Sequence, residues 1–159
     1  VDEIVLLLQG MEDIHGAMVE IGGEVRVFGD RHDGSEWTVG IQSPLRNRGG
    51  LAARVHLQDK SLASSGDYVH FFKHEGRSFS HIIDPDEGVP VETDVVATAV
   101  IDASCMVADA WATAFMVLDV KESLEIADRE ELGLMIIRRE VTNDLEVISN
   151  HTFKKYLVE

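Results

Sequence analysis

The sequence predicts a single α+β domain, mainly antiparallel sheet flanked by helices. Short stretches alternate apolar and polar residues with the period of two that a half-buried strand needs, as in Glu24-Val25-Arg26-Val27. Turn-forming clusters such as Arg31-His32-Asp33-Gly34-Ser35 separate these stretches at hairpin distances. No internal repeat, low-complexity run or linker divides the chain, and 159 residues is one domain's length. A domain of this size buries roughly 68 to 70% of its unfolded surface, so a proper core is available.

The elements follow in order. Val1 to Met11 places Val1, Ile4, Val5, Leu7, Leu8 and Met11 near a helical repeat, with Gly10 weakening its end. Ala17 to Gly29 is β-like, and Gly22-Gly23 falls inside it. A double glycine in a strand marks a bulge, or a backbone that a planar ligand approaches closely, and the bulge is the commoner outcome. Arg31 to Ser35 reads as a hairpin turn with Trp37 to Ile41 as its return strand, stopped by Pro44. Leu45 to Gly50 is a polar loop and Leu51 to Leu57 another strand. Ser61 to Tyr68 packs small hydroxyl residues around Gly66, a composition that turns its amides toward an anion or simply satisfies its own turn. Tyr68 to Lys73 and Arg77 to Ile83 form a hairpin across His74-Glu75-Gly76, which brings His81 onto the same sheet.

Beyond Asp84-Pro85, the loop Asp86 to Thr93 is too irregular for core, and loops held between rigid elements are where sites tend to be built. Asp94 to Ile101 is an apolar, β-branched strand, and Ser104 is the N-cap of a helix running to about Leu118. A second amphipathic helix covers Lys121 to Asp128. Strands at Leu132 to Arg139 and Leu145 to Ser149 are joined by the turn Val141 to Asp144, and His151 to Val158 closes the chain.

Charge and composition exclude several partners. Fourteen basic against twenty-nine acidic residues give a net charge of -15, which repels phosphate backbones and anionic lipid at long range. Nucleic acid is therefore a poor partner. No apolar run is long enough for direct membrane insertion in this segment, and no signal segment is present. The lone Cys105 excludes an intrachain disulfide framework and a cysteine-cluster zinc site, and reads as a buried small hydrophobe. Residue 1 is Val, and the first residues already read as helix. The chain is expected to be a piece of a longer protein, with any signal peptide or anchor outside it.

The chemistry concentrates between His81 and Thr113. Asp109 and Thr113 stand four residues apart on one helix, which puts a carboxylate and a hydroxyl on one face. Such hard oxygen donors suit Mg²⁺ or Ca²⁺ better than softer metals. An aspartate inside a helix costs about 0.6 kcal/mol relative to alanine, and Ala108, Ala110, Trp111 and Ala112 suggest a mostly buried helix. Either something compensates that charge, or Asp109 faces solvent. His81 could serve as acid, base or anchor, though a lone strand histidine is usually a hydrogen-bonded structural residue. The other six histidines lack a partner at metal spacing and read as structural or solvated.

Five segments, in this order, resemble the ApbE-type FAD:protein FMN transferase family. They are Gly22-Gly23 within Val19 to Arg26, the strand Trp37 to Pro44, Ser65-Gly66-Asp67-Tyr68, His81-Ile82-Ile83-Asp84-Pro85, and Ala108-Asp109-Ala110-Trp111-Ala112-Thr113. The resemblance implies a Mg²⁺-dependent enzyme that splits the pyrophosphate of FAD and passes FMN to a Thr or Ser hydroxyl of a target flavoprotein. In members that act as FAD pyrophosphatases the acceptor is water. It implies Asp109 and Thr113 as metal ligands, His81 as the catalytic histidine near the transferring phosphate, and Gly22, Gly23, Ser65, Gly66, Asp67, His81 and Ile82 at the flavin nucleotide. A periplasmic or membrane-anchored lipoprotein is the location it implies, and a homodimer is one state it allows.

This chain departs from the family pattern in two ways. Asp86-Glu87-Gly88 stands where the family carries a basic residue and threonine before the glycine. The resemblance also begins partway through the family domain, so the N-terminal part, with its Ala-Lys-Gly segment and a carbonyl that completes the metal shell, is expected to be lacking. A flavin- or nucleotide-binding module without turnover, and a remnant that only keeps the fold, are the readings from other classes.

Overall fold

The computed structural model describes residues 1–44, 50–66, 71–74, 77–142 and 144–158. Helix α1 (Asp2–Gln9) precedes eight strands: β1 (Ala17–Ile21), β2 (Glu24–Phe28), β3 (Trp37–Gln42), β4 (Leu51–Leu57), β5 (Ser61–Gly66), β6 (Phe71–His74), β7 (Arg77–Ser80) and β8 (Val95–Asp102). Helices α2 (Cys105–Ala114) and α3 (Val120–Arg129) follow, then β9 (Gly133–Arg139), β10 (Leu145–Ser149) and the short α4 (His151–Lys154). Six strands form one antiparallel sheet in the order β1-β2-β5-β8-β9-β10, while β3-β4 and β6-β7 are two-stranded sheets of their own. This is the predicted α+β class. No described helix is long and apolar enough to cross a membrane.

The large sheet is apolar on both faces because both are covered. On one, Ala63, Val100, Leu134 and Ile136 pack with Ala108 and Ala112 of α2, with Phe115 just after it and with Ala127 of α3. On the other, Val25, Val27, Leu62, Ile101 and Ile137 pack with Ile41, Val55 and Leu57 of the β3-β4 sheet and with Phe153 of α4. Neighbours such as Leu62 and Ala63 therefore belong to opposite clusters, as the two-residue period of a strand requires. The near-continuous apolar runs of β8 and β9 have the same cause: their central positions face a covered layer on either side.

Several sequence expectations are corrected. Gly22-Gly23 is no bulge inside a strand. It is the two-residue turn between β1 and β2, with Ile21 opposite Glu24 and φ of +74° and +112°. Two consecutive positive φ angles strain other residues, and glycine adopts them freely. A side chain at Gly23 would meet nothing within 4 Å, so dihedral angle, and not a close neighbour in the chain, explains the glycine there.

Arg31 to Ser35 does turn, closed by Gly34 N–H to Arg31 O at 2.8 Å, but β3 does not return along β2. It pairs with β4, because β1 and β5 already occupy the edges of β2. The turn instead carries the chain from one layer to the other. The β6-β7 hairpin likewise stays off the large sheet, since β5 is flanked by β2 and β8. His81 therefore follows β7 without lying on the sheet that bears β5. The α2 helix ends at Ala114, short of Leu118, and bonds of the tighter kind follow it, from Met116 N–H to Thr113 O and Val117 N–H to Ala114 O. Residues 45–49 of the expected polar loop, Asp67 and Tyr68, the hairpin tip Glu75-Gly76, and Asn143 lie outside the described residues.

Candidate active site

Helix α2 is built by local signals. Ser104 caps it in extended conformation, its hydroxyl accepting from Val107 N–H at 3.4 Å. Cys105, Ala108, Ala112 and then Phe115 turn to the sheet, and small alanines let the helix lie close. Met106, Asp109, Ala110 and Thr113 face water. Asp109 and Thr113 thus stand one turn apart on the solvent side. Of the two alternatives for Asp109, solvent exposure is the one realised, and the helix is half-buried where a mostly buried one was expected. Among the described residues the Asp109 side chain makes no hydrogen bond or ion pair.

Side chains from elsewhere in the chain hold both ends of this helix. At its start the carboxylate of Asp2, on α1, accepts from Cys105 N–H at 3.0 Å, Met106 N–H at 3.1 Å and Ser104 Oγ at 2.9 Å. Arg26 of β2 donates to the same carboxylate at 2.6 Å. Burial pushes the Asp2 carboxyl up, but those two N–H groups, with Arg26 and Ser104, outweigh it and hold the group well below the usual carboxylate range. The negative charge also complements the helix dipole. The adjacent Cys105 thiol is pushed up to about 11, first by burial and then by the charge of Asp2, which suits a packing residue and no nucleophile.

At the other end, Thr98 of β8 donates its buried hydroxyl to the Ala112 carbonyl at 2.6 Å. One residue further on, the Ser65 and Thr113 hydroxyls are 2.9 Å apart. Ser65 and Thr98 are direct partners in the β5-β8 ladder, so one cross-strand pair fixes the part of α2 that carries Thr113. Ala112 would otherwise be an orphan C-terminal carbonyl. Thr98 satisfies it two residues before the regular helix ends at Ala114.

The remaining predicted residues fall as follows. Ser65 and Gly66 are strand residues paired with Thr98 and Ala97, so this segment is not the amide-gathering turn its composition suggested. Asp67 lies outside the described residues. Ile82 is buried in the same cluster as Ala108 and Ala112, its N–H donates to Ser80 Oγ at 3.1 Å, and its carbonyl accepts from Val91 N–H at 2.9 Å. His81, next to that anchored neighbour, is exposed. Asp84 organises the following loop, its Oδ1 accepting from Asp86 N–H at 2.8 Å and Glu87 N–H at 3.2 Å. The pairs Val25↔Leu62 and Arg26↔Ser61, continued along the strands, put the Gly22-Gly23 turn toward the Ser65 end of β5. Asp2, Arg26 and Thr98 went unnoticed in the sequence. Only Thr98 left a trace, as the one hydroxyl in the apolar run Val95 to Ile101.

Oxygen donors at Asp109 and Thr113 fit a hard cation such as Mg²⁺. Among the described residues no three His, Cys, Asp or Glu side chains cluster, which leaves no nitrogen- or sulfur-rich site of the zinc kind. Two protein oxygens fit Mg²⁺ in one respect more, since that ion keeps several waters and takes substrate phosphates as ligands.

Comparison with known proteins follows the same line. The profile of the ApbE family matches residues 1–137. An FAD:protein FMN transferase of Vibrio cholerae is 35% identical over 158 residues, covering 99% of this chain and 46% of that protein. One from Escherichia coli K12 is 32% identical over 151 residues, covering 95% and 43%. Among solved structures, the flavin transferase ApbE from Vibrio cholerae superposes with a TM-score of 0.85 at 34% identity, covering 99% of this chain and 49% of that one. The apo flavinyl transferase ApbE of Pseudomonas stutzeri gives 0.82 at 33% identity, covering 98% and 47%. The chain thus spans less than half the length of the curated relatives cited.

Proposed function

The chain belongs to the ApbE family, and on that premise we propose that it serves Mg²⁺-dependent transfer of FMN from FAD to a Thr or Ser hydroxyl of a target flavoprotein. The observation that carries the reading is the contact between two motifs far apart in sequence: Ser65 meets Thr113 at 2.9 Å, on the helix that also presents Asp109 to solvent. The chain matches less than half of the relatives' length, and the roles proposed here concern this chain's residues alone.

Asp109 and Thr113 would hold Mg²⁺, which when bound supplies positive charge for the phosphate oxygens. The chain's own residues do the rest of what is assigned here. His81 stands exposed at the end of the β6-β7 hairpin, fixed by the buried Ile82, and takes the proton of the acceptor hydroxyl. The hydroxyl oxygen bonds to the flavin-side phosphorus, the bridging P–O bond breaks, and AMP leaves with its electron pair.

The test is a paired measurement in the full-length protein, FAD binding by flavin fluorescence and FMN attachment to an acceptor flavoprotein by mass spectrometry. Positioned general bases contribute about 10² to 10⁴-fold, so His81→Ala should slow transfer by that much while FAD affinity changes far less. A variant that binds FAD much more weakly yet transfers normally at saturation would make His81 a flavin contact. Transfer that persists undiminished after chelation and gel filtration would remove the metal from the reading.

A further inference from the structure

We infer that Ser65 is a positioning residue for Thr113, setting the direction of its hydroxyl so that a lone pair is presented on the solvent side of α2. The inference rests on the reading of α2 as the cation-bearing helix. A threonine hydroxyl has one proton and two lone pairs, and it serves as a metal ligand only with a lone pair toward the cation and the proton directed elsewhere. Left to rotate, it spends part of its time with the proton in the wrong place.

Ser65 Oγ lies 2.9 Å from Thr113 Oγ1, and by geometry either group can donate. A cation held by Thr113 would remove that ambiguity. Thr113 becomes the donor, Ser65 the acceptor, and the proton of the half-buried Ser65 turns to water.

The frame around this contact is stiff. Ser65 stands on a strand lying between β2 and β8 in the sheet order, and its ladder partner Thr98 grips the Ala112 carbonyl one residue before Thr113. Strand and helix end are thus each held by bonds of their own beside the contact. The sequence reading placed Ser65 at the flavin nucleotide, whereas this geometry gives its hydroxyl a partner inside the protein. Residues that orient a metal ligand typically contribute 10- to 100-fold in metal affinity, and Ser65 occupies that place toward Thr113.

The experiment titrates Mn²⁺, a paramagnetic substitute for Mg²⁺, into the full-length protein without FAD and follows the free-ion signal by electron paramagnetic resonance. Ser65→Ala is expected to weaken Mn²⁺ binding about 10- to 100-fold without lowering Tm, and Ser65→Thr, which keeps a hydroxyl, to restore most of it. In a Thr113→Val background Ser65→Ala should have no further effect. An unchanged Mn²⁺ Kd in Ser65→Ala, with binding abolished in Asp109→Asn, overturns the inference and leaves the cation site on α2. Unchanged Mn²⁺ binding in Asp109→Asn overturns the cation reading itself. Normal Mn²⁺ binding in Ser65→Ala with weakened FAD binding makes Ser65 a flavin contact and overturns the positioning role.

Discussion

Two aspartates serve helix α2, and they are opposites. Asp2 reaches the first turn, where it accepts from Ser104, Cys105, Met106 and Arg26 and is only 22% exposed. Asp109, on the helix itself, is exposed and makes no bond among the described residues. A carboxylate already saturated by protein donors has nothing left for a ligand, while an exposed and unsaturated one has its full coordination capacity in hand. The same side chain thus does structural work at one end of the helix and is available for chemistry near the other, and only its surroundings decide which.

The largest effect expected from breaking this contrast is on activity. Asp109→Asn keeps the size of the side chain and removes the charge a divalent cation requires, so Mg²⁺-dependent transfer should be abolished in the full-length protein. Because the residue is exposed and its side chain has no partner among the described residues, Tm should hardly move. Thermal melts alongside transfer assays check both halves, and an Asp109→Asn enzyme with an intact Mg²⁺ requirement would place the metal elsewhere.

At Asp2 the outcome should be reversed. Loss of a charged cap together with its arginine partner costs about 2 kcal/mol, a fall of about 4 to 8 °C in Tm for a chain of this length. The pH dependence follows from the lowered carboxyl. Its folded value lies below the unfolded one, so the stabilisation is complete above about pH 5 and is lost as pH falls toward the folded value. Melts between pH 7 and pH 3 should therefore show Asp2→Asn losing less stability on acidification than the parent. Parallel acid curves for the two proteins would mean that the cap carries no net stabilisation.

The smallest of the three effects belongs to Thr98→Val, which keeps the shape and removes the donor to Ala112. One buried carbonyl left unpaired costs about 1 kcal/mol, read as a change in denaturation midpoint. A midpoint equal to the parent's would show that the helix end is held by packing alone.

What was legible in the sequence was local. The Asp109 and Thr113 spacing, the Ser104 cap and the strand Leu145–Ser149 each follow from signals within a few residues of one another. Strand partnership was not legible at Arg31 to Ser35, because the same turn chemistry closes a hairpin or carries the chain to another layer. Asp2 was hidden for a different reason. It caps a helix 103 residues away from it in sequence, and no local pattern ties the first turn of one helix to a distant aspartate. The end of α2 was missed because no breaker in the helix marks it, and the strand hydroxyl that bonds its last turn comes from a distant part of the sequence. Ser65 and Gly66 have turn-like composition, yet β8 takes them into its ladder, and tertiary pairing overrides local preference.

The grip of Thr98 on Ala112 also bears on how long the Thr113 turn stays formed. Helix ends are ordinarily the first places to open, and their amides exchange with solvent ahead of the rest. Here, opening the last turn would strand a buried hydroxyl and a carbonyl together, at about 1 to 3 kcal/mol for each. The Phe115 amide, bonded to Trp111 O at 2.9 Å, should therefore be protected as the sheet interior is, and hydrogen exchange there should report on unfolding of the sheet and not on fraying of a helix.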